Sequence, residues 1–245
     1  MEIKPQILFE DNDILVIDKP AGMIVSRADT TKRVLTVQEW AEQLTTNNEQ
    51  LTTKGDLEFA QRGGVVHRLD KETSGVLVLA KNEESFNKLK TQFKDRTVKK
   101  TYIALLHGEL LPAEGEINVP IGRLPWNRIK FGFLPEGREA QTLYKVLSIK
   151  YFESKKIKEP LSLVEVYPQT GRTHQIRVHM RYVNHPVFAD ELYAGRKAGR
   201  ADREILPRHF LHAAKISLNH PKTGEKIAFE SPLPADLANF LAKLS

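Results

Sequence analysis

The chain has 245 residues, of which 40% are hydrophobic and 28% are charged, a composition typical of an ordinary globular protein. It contains no cysteine, which excludes disulfides, thiolate nucleophiles and cysteine-bound zinc. No apolar run is long enough to cross a bilayer, and residues 1–5 lack the apolar core of a signal peptide, so we expect a cytoplasmic protein. The formal charge of +6 favours a polyanionic partner.

In the first part of the chain, apolar runs and turn residues predict two strands and a helix. The runs at 7–10 and 14–18 flank a turn rich in Asp and Asn, which is typical of a β-hairpin. Apolar residues from 37 to 44 then recur with the helical period, and we interpret Thr36 as the N-cap of this helix. The polar segment 45–55 is predicted as a loop.

The middle of the chain carries the most clearly buried strand. Residues 76–79 form a short apolar run with alternate β-branched side chains, which predicts a strand inside the core. Asn82 is a suitable N-cap for a following helix, whose apolar residues recur at spacings of three and four. Residues 99–108 predict the next strand.

The C-terminal half is predicted to consist mainly of strands. A helix is expected to follow the turn at Gly171 and to continue to Tyr182. A final helix places Leu237, Phe240, Leu241 and Leu244 on one face. Strands are predicted at 140–150, 161–167, 210–219 and 226–230.

The order of these elements indicates the fold class. Strands dominate and follow one another mostly through hairpins, which favours an α+β fold with a mixed or antiparallel sheet over a doubly wound sheet. Residues 194–208 contain five Lys or Arg residues and are predicted as a basic loop. No linker divides the chain, so we predict a single domain over residues 1–245.

A dense polar cluster precedes the buried strand and contains Asp70, flanked by His67 and Arg68. By itself Asp70 is most simply interpreted as an aspartate that caps a turn, since turn aspartates are common. An aspartate paired with an arginine stays ionised, and it then suits attack on an electron-poor carbon or removal of a neighbouring proton. With many basic residues nearby in sequence, a nucleic-acid sugar is an attractive target.

Other chemistries find little support in the sequence. No His-Glu-x-x-His motif occurs, so we expect no metal site, and phosphate-loop and dinucleotide fingerprints are missing. Ser74 lies beside Gly75 but outside any Gly-x-Ser-x-Gly motif. Glycoside hydrolysis needs two carboxylates on opposite sides of a bond, and Glu72 is too close in sequence to Asp70 to fill the second role.

Several motifs together resemble the RluA-type RNA pseudouridine synthases. The resemblance covers nearly the whole chain, and the motifs occur in the order that this family has. The first, His67-Arg68-Leu69-Asp70 followed by Thr73-Ser74-Gly75, resembles the catalytic motif of the family. The others are Glu10 to Gly22, Lys100-Thr101-Tyr102-x-Ala104, Gly171-Arg172-Thr173-His174-Gln175-Ile176-Arg177-x-His179 and Phe210-Leu211-His212-Ala213.

The resemblance implies a fold and a reaction. The fold is an α+β domain with flanking helices around a long, bent, largely antiparallel mixed sheet, with the active cleft across its middle. The reaction is the isomerisation of uridine to pseudouridine in RNA without metal or organic cofactor. Asp70 matches the catalytic aspartate, which attacks the ribose C1′ or removes the C2′ proton. The uracil then turns in the pocket and is rejoined through C5.

The resemblance also implies roles for residues that would otherwise be ascribed to packing or to the surface. Tyr102 matches the tyrosine that packs on the uracil, although its strand position equally fits a core aromatic. Arg177 matches the basic partner of the aspartate, and alone it would pass as a solvated helix charge. Arg68 resembles the arginine that enters the space left by a flipped base. Leu211 is expected to form the apolar wall under the uracil, although core packing fits it as well.

The remaining expectations concern RNA contacts and partners. Arg172, His174 and Gln175 are expected to contact the RNA backbone. Because the opening strand begins by Ile7, we expect a stand-alone catalytic domain without an N-terminal RNA-binding domain of the S4 type. The expected partner is a stem-loop of rRNA or tRNA, bound by a monomer that needs no membrane and no protein partner. Two alternatives stay open: an inactive RNA-binding protein, and a glycosylase that releases the base.

Overall fold

The computed structural model describes residues 4–27, 34–45, 57–154 and 157–245. The loop predicted at 45–55 therefore lies almost entirely outside the described residues. None of the helices within the described ranges combines the length and the apolar character needed to cross a membrane. The strands are β1 (Gln6–Glu10), β2 (Ile14–Lys19), β3 (Ser74–Ala80), β4 (Lys99–His107), β5 (Glu114–Asn118), β6 (Ile121–Arg123), β7 (Phe131–Phe133), β8 (Gln141–Ser154), β9 (Ile157–Pro168), β10 (Leu211–Asn219) and β11 (Lys226–Glu230). The helices are α1 (Val37–Thr45), α2 (Leu57–Arg62), α3 (Glu83–Lys94), α4 (Gln175–Tyr182), α5 (Arg196–Arg203) and α6 (Ala235–Leu241).

The chain forms two compact units. The first consists of Met1–Lys99 and Lys215–Ser231, and the second of Lys100–Ala214 and Pro232–Ser245. Strand β10 is divided between them, since its first four residues belong to the second unit and its last five to the first.

In the first unit, the strands follow the order β1-β2-β3-β10, and β11 pairs with β10. The β2–β3 pair is antiparallel and runs from Ile14 opposite Ala80 to Lys19 opposite Gly75. Every residue of β3 is buried, as its apolar run predicts. Helix α3 packs Phe86 and Leu89 against this core. This core holds in place the strand that directly follows the segment 63–73.

Local capping signals in this unit are confirmed. The Asn82 side chain accepts a hydrogen bond from the Ser85 N–H at 2.8 Å and begins α3. The Thr36 hydroxyl accepts from the Glu39 N–H at 3.2 Å, and the Glu39 carboxylate accepts from the Thr36 N–H at 2.9 Å. This reciprocal pair is a capping box at the start of α1.

In the second unit, the strands follow the order β10-β4-β9-β8-β5, and β6 and β7 form a separate hairpin. Strands β8 and β9 extend further than predicted. Strand β4 pairs antiparallel with β9, with Tyr102 opposite Val166. Helix α4 packs on these strands through Ile176 and Met180, and α6 packs through Leu237 and Phe240 on a second cluster.

The predicted fold class is confirmed, since a mixed sheet with antiparallel hairpins and six helices accounts for the described residues. The expectation of a single domain, the bend of the sheet and the central cleft stay predictions. One local prediction is wrong, because residues 196–203 within the predicted basic loop form helix α5. This helix has no apolar stripe, and its contact with the rest of the unit is polar: the buried Asp202 binds the His107 ring.

Candidate active site

The segment that carries Asp70 begins at a glycine that no other residue could replace without strain. Gly64 has a φ of +76°, and a Cβ on it would lie 2.0 Å from the main-chain oxygen of Ala80. Its own carbonyl accepts the Ala80 N–H at 2.9 Å. Since Ala80 ends β3, this contact ties the segment's start to the far end of the strand that follows it.

His67 has a structural role beside β3. Its Nε2 accepts a hydrogen bond from the Val78 N–H at 2.9 Å, so this nitrogen carries no proton. The ring stacks on Phe93 of α3 with centroids 4.6 Å apart. His67 therefore fixes the path of the chain into the neighbouring Arg68, whose side chain is exposed.

Asp70 lies at the first position of a tight turn. Its main-chain oxygen accepts the Thr73 N–H at 3.1 Å, and its side chain is half-buried. Thr73 and Ser74, which lead into β3, are buried. The expected turn is present, and the bond that closes it comes from the backbone of Asp70, so its carboxylate is not needed for that bond.

Lys19 holds this turn from the neighbouring strand. Its side chain is 0% exposed, and its Nζ donates to the carbonyls of Pro20 at 2.9 Å, Met23 at 2.9 Å and Lys71 at 3.2 Å. The Lys71 carbonyl also accepts the Gly22 N–H at 2.8 Å. A buried ammonium is tolerated where several oxygens replace its water. These oxygens join the Pro20–Met23 turn to the residue that directly follows Asp70.

The importance of Lys19 was not predicted from the residues. The sequence signal was available, because a lysine closes the apolar strand Ile14–Lys19 immediately before a proline. Only the register that sets Lys19 opposite Gly75 brings its ammonium to the Asp70 turn.

In the second unit, Arg177 forms a buried ion pair with Asp190. Its Nε donates to Oδ2 at 2.6 Å and its Nη2 to Oδ1 at 2.9 Å. Burial alone would raise the pKa of Asp190, but the hydrogen bonds and charge of Arg177 outweigh it and hold the pKa below its ordinary value. The pair is therefore ionised at neutral pH. The interpretation of Arg177 as a solvated helix charge is wrong, because its side chain is buried.

Tyr193 adds a second contact to this arginine. The Arg177 guanidinium lies 5.0 Å from the centroid of the Tyr193 ring. The Tyr193 hydroxyl accepts the Phe131 N–H at 3.0 Å and bonds to His174 Nδ1 at 2.9 Å. Asp190 and Tyr193 were both missed by sequence reasoning. An aspartate directly after the apolar run Val187–Ala189 was the available signal.

Gln175 organises the start of α4. Its Oε1 accepts from the Thr170 hydroxyl at 2.6 Å and from the Arg172 N–H at 2.9 Å. Its Nε2 donates to the Gln141 carbonyl and to the Thr142 hydroxyl, both at 2.9 Å. These four bonds use the whole capacity of the amide, which gives Gln175 a positioning role. Its expected contact with RNA stays a prediction.

The neighbours of Gln175 continue this network. The Arg172 Nε donates to the Glu139 carbonyl at 2.9 Å. His179 is buried, its Nε2 donates to the Val119 carbonyl at 3.1 Å, and its Nδ1 bonds to the Thr142 hydroxyl at 2.9 Å. Burial lowers the pKa of His179, so the ring is neutral at pH 7. Helix α4 is therefore anchored through polar side chains on its buried face.

Tyr102 and Leu211 lie in one apolar cluster of the second unit. Leu211 is buried at the start of β10, and Tyr102 is partly buried in β4 and packs against the same cluster. Ile176, which precedes Arg177 in α4, belongs to this cluster too. The cluster thus brings together three elements that carry expected site residues.

The expected site residues are distributed over both units. Arg68 and Asp70 belong to the first unit. It stays a prediction that these two residues share one active site with the expected site residues of the second unit. The pairing of Arg177 with Asp70 stays a prediction too. The residues in the second unit are Tyr102, Arg172, His174, Gln175, Arg177 and Leu211.

Known proteins resemble this chain over most of its length. A family model described as RNA pseudouridylate synthase matches residues 13–182. Ribosomal large subunit pseudouridine synthase D of Neisseria meningitidis serogroup B is 39% identical over 245 residues, which cover 97% of this chain and 60% of that protein. The protein of the same name from Nitrosomonas europaea is 40% identical over 240 residues, 96% of this chain and 64% of that protein. The chain thus spans about three fifths of the length of these curated relatives.

A solved structure also matches. Human RNA pseudouridylate synthase domain containing 1 superimposes with a TM-score of 0.72 at 28% sequence identity. The match covers 98% of this chain and 89% of that chain.

Proposed function

Because this chain belongs to the RNA pseudouridylate synthase family, we propose that it isomerises specific uridines to pseudouridine in structured RNA. The observation that carries the proposal is the family match over residues 13–182, which includes Asp70 and Arg177. The ordered turn at Asp70, held by the buried Lys19, supports it, because a reacting carboxylate needs a fixed position.

The proposed reaction breaks one bond and forms another. The Asp70 carboxylate attacks the ribose C1′ or removes the C2′ proton, and the bond between C1′ and N1 of uracil breaks. The uracil turns and its C5 bonds to C1′, which either breaks the bond between Asp70 and C1′ or is accompanied by return of the proton from Asp70 to C2′. The proton on C5 then leaves, and N1 gains a proton. Atoms balance within the nucleotide, so no cofactor is consumed.

Other residues have proposed roles around Asp70. Tyr102 packs on the uracil, and Leu211 lines the apolar wall beneath it. Arg177 pairs with Asp70, and its bond to Asp190 fixes the direction of its guanidinium. Arg68 fills the space that the flipped base leaves, and its exposed side chain suits that role. Flipping costs a few kcal/mol of stacking and pairing, and the contacts of the Arg68 side chain in the vacated space offset part of this cost.

We propose that Arg172 and His174 contact the RNA backbone directly and that Gln175, whose amide is fully bonded within the protein, contributes by positioning Arg172. We propose ribosomal RNA as the substrate, because two relatives at 39% and 40% identity are named for the large ribosomal subunit. A tRNA stem-loop is the alternative.

Helix α5 is proposed to contribute to the choice of target. Its exposed Arg196, Lys197 and Arg200 form no ion pair within the described residues.

The test of the activity is tritium release. Purified protein is incubated with ribosomal RNA or with tRNA that carries tritium at uridine C5. Wild-type protein should release the label, and Asp70→Asn should abolish release. Asp95→Asn, which removes an exposed carboxylate at the end of α3, should leave release unchanged. Release that survives Asp70→Asn would reject the proposed role of Asp70.

The two alternatives predict different products. An inactive RNA-binding protein would bind the RNA and release no tritium. A glycosylase would liberate uracil. We expect chromatography of the reaction mixture to show no free uracil.

We further propose a cytoplasmic monomer that needs no metal. Light scattering should then give a mass near 27.9 kDa, and a chelator should leave tritium release unchanged.

A further inference from the structure

A tryptophan side chain projects into solvent from the hairpin of β6 and β7. Trp126 is 77% exposed, the highest exposure among the large hydrophobic side chains that the structure describes. Ile129, in the same turn, is 71% exposed. A large apolar surface left in water contributes nothing to folding, and such surfaces commonly mark binding sites.

The turn that presents Trp126 is ordered by its own hydrogen bonds. The Asn127 N–H donates to the Leu124 carbonyl at 3.1 Å, and the Leu124 N–H donates to the Lys130 carbonyl at 3.0 Å. The Lys130 N–H donates in turn to the Asn127 carbonyl at 2.9 Å. Trp126 is therefore held outward by a folded turn, so little backbone entropy remains to be lost when a ligand binds.

The hairpin carries positive charge and no negative charge. Between Ile121 and Phe133 the basic residues are Arg123, Arg128 and Lys130, and no acidic residue occurs. Arg128 and Lys130 form no ion pair within the described part of the chain. Arg123 lies over the Phe131 ring at 4.9 Å and donates to the Arg128 carbonyl, which stiffens the hairpin.

The base of the hairpin is fixed to the surroundings of Arg177. The Phe131 N–H donates to the Tyr193 hydroxyl, and the Phe131 ring meets the His174 ring edge-on at 5.6 Å. Tyr193 lies against the Arg177 guanidinium. The tip thus stands in a defined position relative to Arg177 within the second unit.

We propose that the tip of this hairpin is an RNA-binding site, in which Trp126 stacks on an unpaired base while Arg128 and Lys130 contact the adjoining phosphates. An aromatic side chain between cations is the combination that binds single-stranded nucleic acid. A protein partner fits less well, because three basic residues without any acidic residue favour a polyanion such as RNA. This inference rests on the proposed function, since it assumes that RNA is the substrate, and it adds a preference for unpaired nucleotides near the modified uridine.

Intrinsic fluorescence tests the proposal, because the chain has two tryptophans in contrasting environments. Trp40 is buried in α1 and Trp126 is exposed. Addition of a uridine dodecamer to the full chain should quench wild-type emission, whereas a blunt RNA duplex of equal length should quench it little. Trp126→Phe should retain the emission of Trp40 and lose the quenching.

Binding of the same dodecamer, measured by fluorescence anisotropy of a labelled oligonucleotide, provides a second readout. Trp126→Ala should weaken binding about 5- to 150-fold, since that is the range expected for loss of one stacked base. Trp126→Phe should largely restore affinity, because it retains an aromatic face. Leu111→Ala, which removes a similarly exposed apolar side chain outside the hairpin, should leave affinity unchanged. Circular dichroism should confirm that all variants are folded.

The outcomes separate this inference from the proposed activity. Undiminished quenching in Trp126→Phe, or unchanged affinity in Trp126→Ala, would overturn the stacking site even if wild-type protein releases tritium. Quenching that depends on Trp126 without tritium release from any RNA would support the binding site and reject the enzyme. Asp70→Asn should lose tritium release and retain quenching.

Discussion

Arg177 and Asp190 form a bidentate ion pair in which the carboxylate is completely buried and the guanidinium almost so. The same Oδ1 of Asp190 accepts the N–H groups of Leu192 at 3.0 Å and Tyr193 at 3.1 Å. Asp190 therefore fixes both the arginine and the turn that carries the aromatic ring packed on it. A guanidinium held in this way has one orientation to offer a substrate or a second carboxylate.

Asp190→Asn should destabilise the fold strongly. The amide lacks the charge that balances Arg177, and an unpaired buried charge costs about 3–5 kcal/mol. Urea unfolding should show a lower midpoint with an unchanged slope. Glu230→Gln removes a charge from the exposed Lys215–Glu230 pair and should cost less than about 1 kcal/mol. Equal losses in the two variants would contradict the importance of the buried pair.

Lys19→Met should destabilise the protein and reduce tritium release. The thioether cannot donate to the carbonyls of Pro20, Met23 and Lys71, so three hydrogen bonds are lost at a cost of about 3 kcal/mol. Release should fall under conditions where the variant is still folded, because the Asp70 turn loses its support. Lys71→Met is the matched control, since the Lys71 side chain is exposed and only its carbonyl takes part. A Lys19→Met variant as stable and active as the control would refute this role.

Sequence patterns predicted best those features that depend on near neighbours. The N-caps at Thr36 and Asn82 involve partners three residues away, and both are confirmed. The buried strand β3 was evident from its own side chains. Motif resemblance selected Arg177, whose position on a helix indicated neither its burial nor its partner Asp190.

Features that depend on distant partners were missed or misjudged. Helix α5 was predicted as a loop because its anchor, the bond from Asp202 to His107, joins residues 95 positions apart. The contact of Lys19 with Lys71 spans 52 positions and depends on strand register. Polar anchors of this kind leave no periodic signal, so a pattern of apolar residues cannot indicate them.

His107 should make stability fall on the alkaline side of neutrality. Burial alone would lower its pKa, but hydrogen bonds to Asp202 and Glu159 outweigh burial and raise the pKa from 6.5 to about 9. A raised pKa stabilises the fold fully below pH 6.5, and the contribution disappears as the pH rises towards 9. The free energy of unfolding of wild type should exceed that of His107→Gln by about 3 kcal/mol more at pH 6 than at pH 10. A difference independent of pH would contradict the ion pairs.

His179 should make the stability of the fold decline on the acidic side of neutrality. Burial lowers its pKa, so the folded state resists protonation while the unfolded state accepts a proton near pH 6.5. Stability should therefore decline as the pH falls below 6.5. His179→Asn should be less stable at pH 7, because it cannot span Thr142 and Val119, but its stability should depend less on pH between 6.5 and 5. An unchanged slope in that window would mean that other groups control the acid response.

Helix α5 should influence the salt dependence of RNA binding. Arg196 and Arg200 are exposed, and neutralising phosphates releases counterions from the RNA. Arg196→Ala combined with Arg200→Ala should reduce the slope of log K against log salt by about 1.5, since each contact contributes about 0.7–0.9. Lys226→Ala combined with Lys243→Ala removes the same charge from other exposed positions and should leave the slope unchanged. Equal changes in both double variants would assign the effect to net charge, and RNA would then have no particular contact with α5.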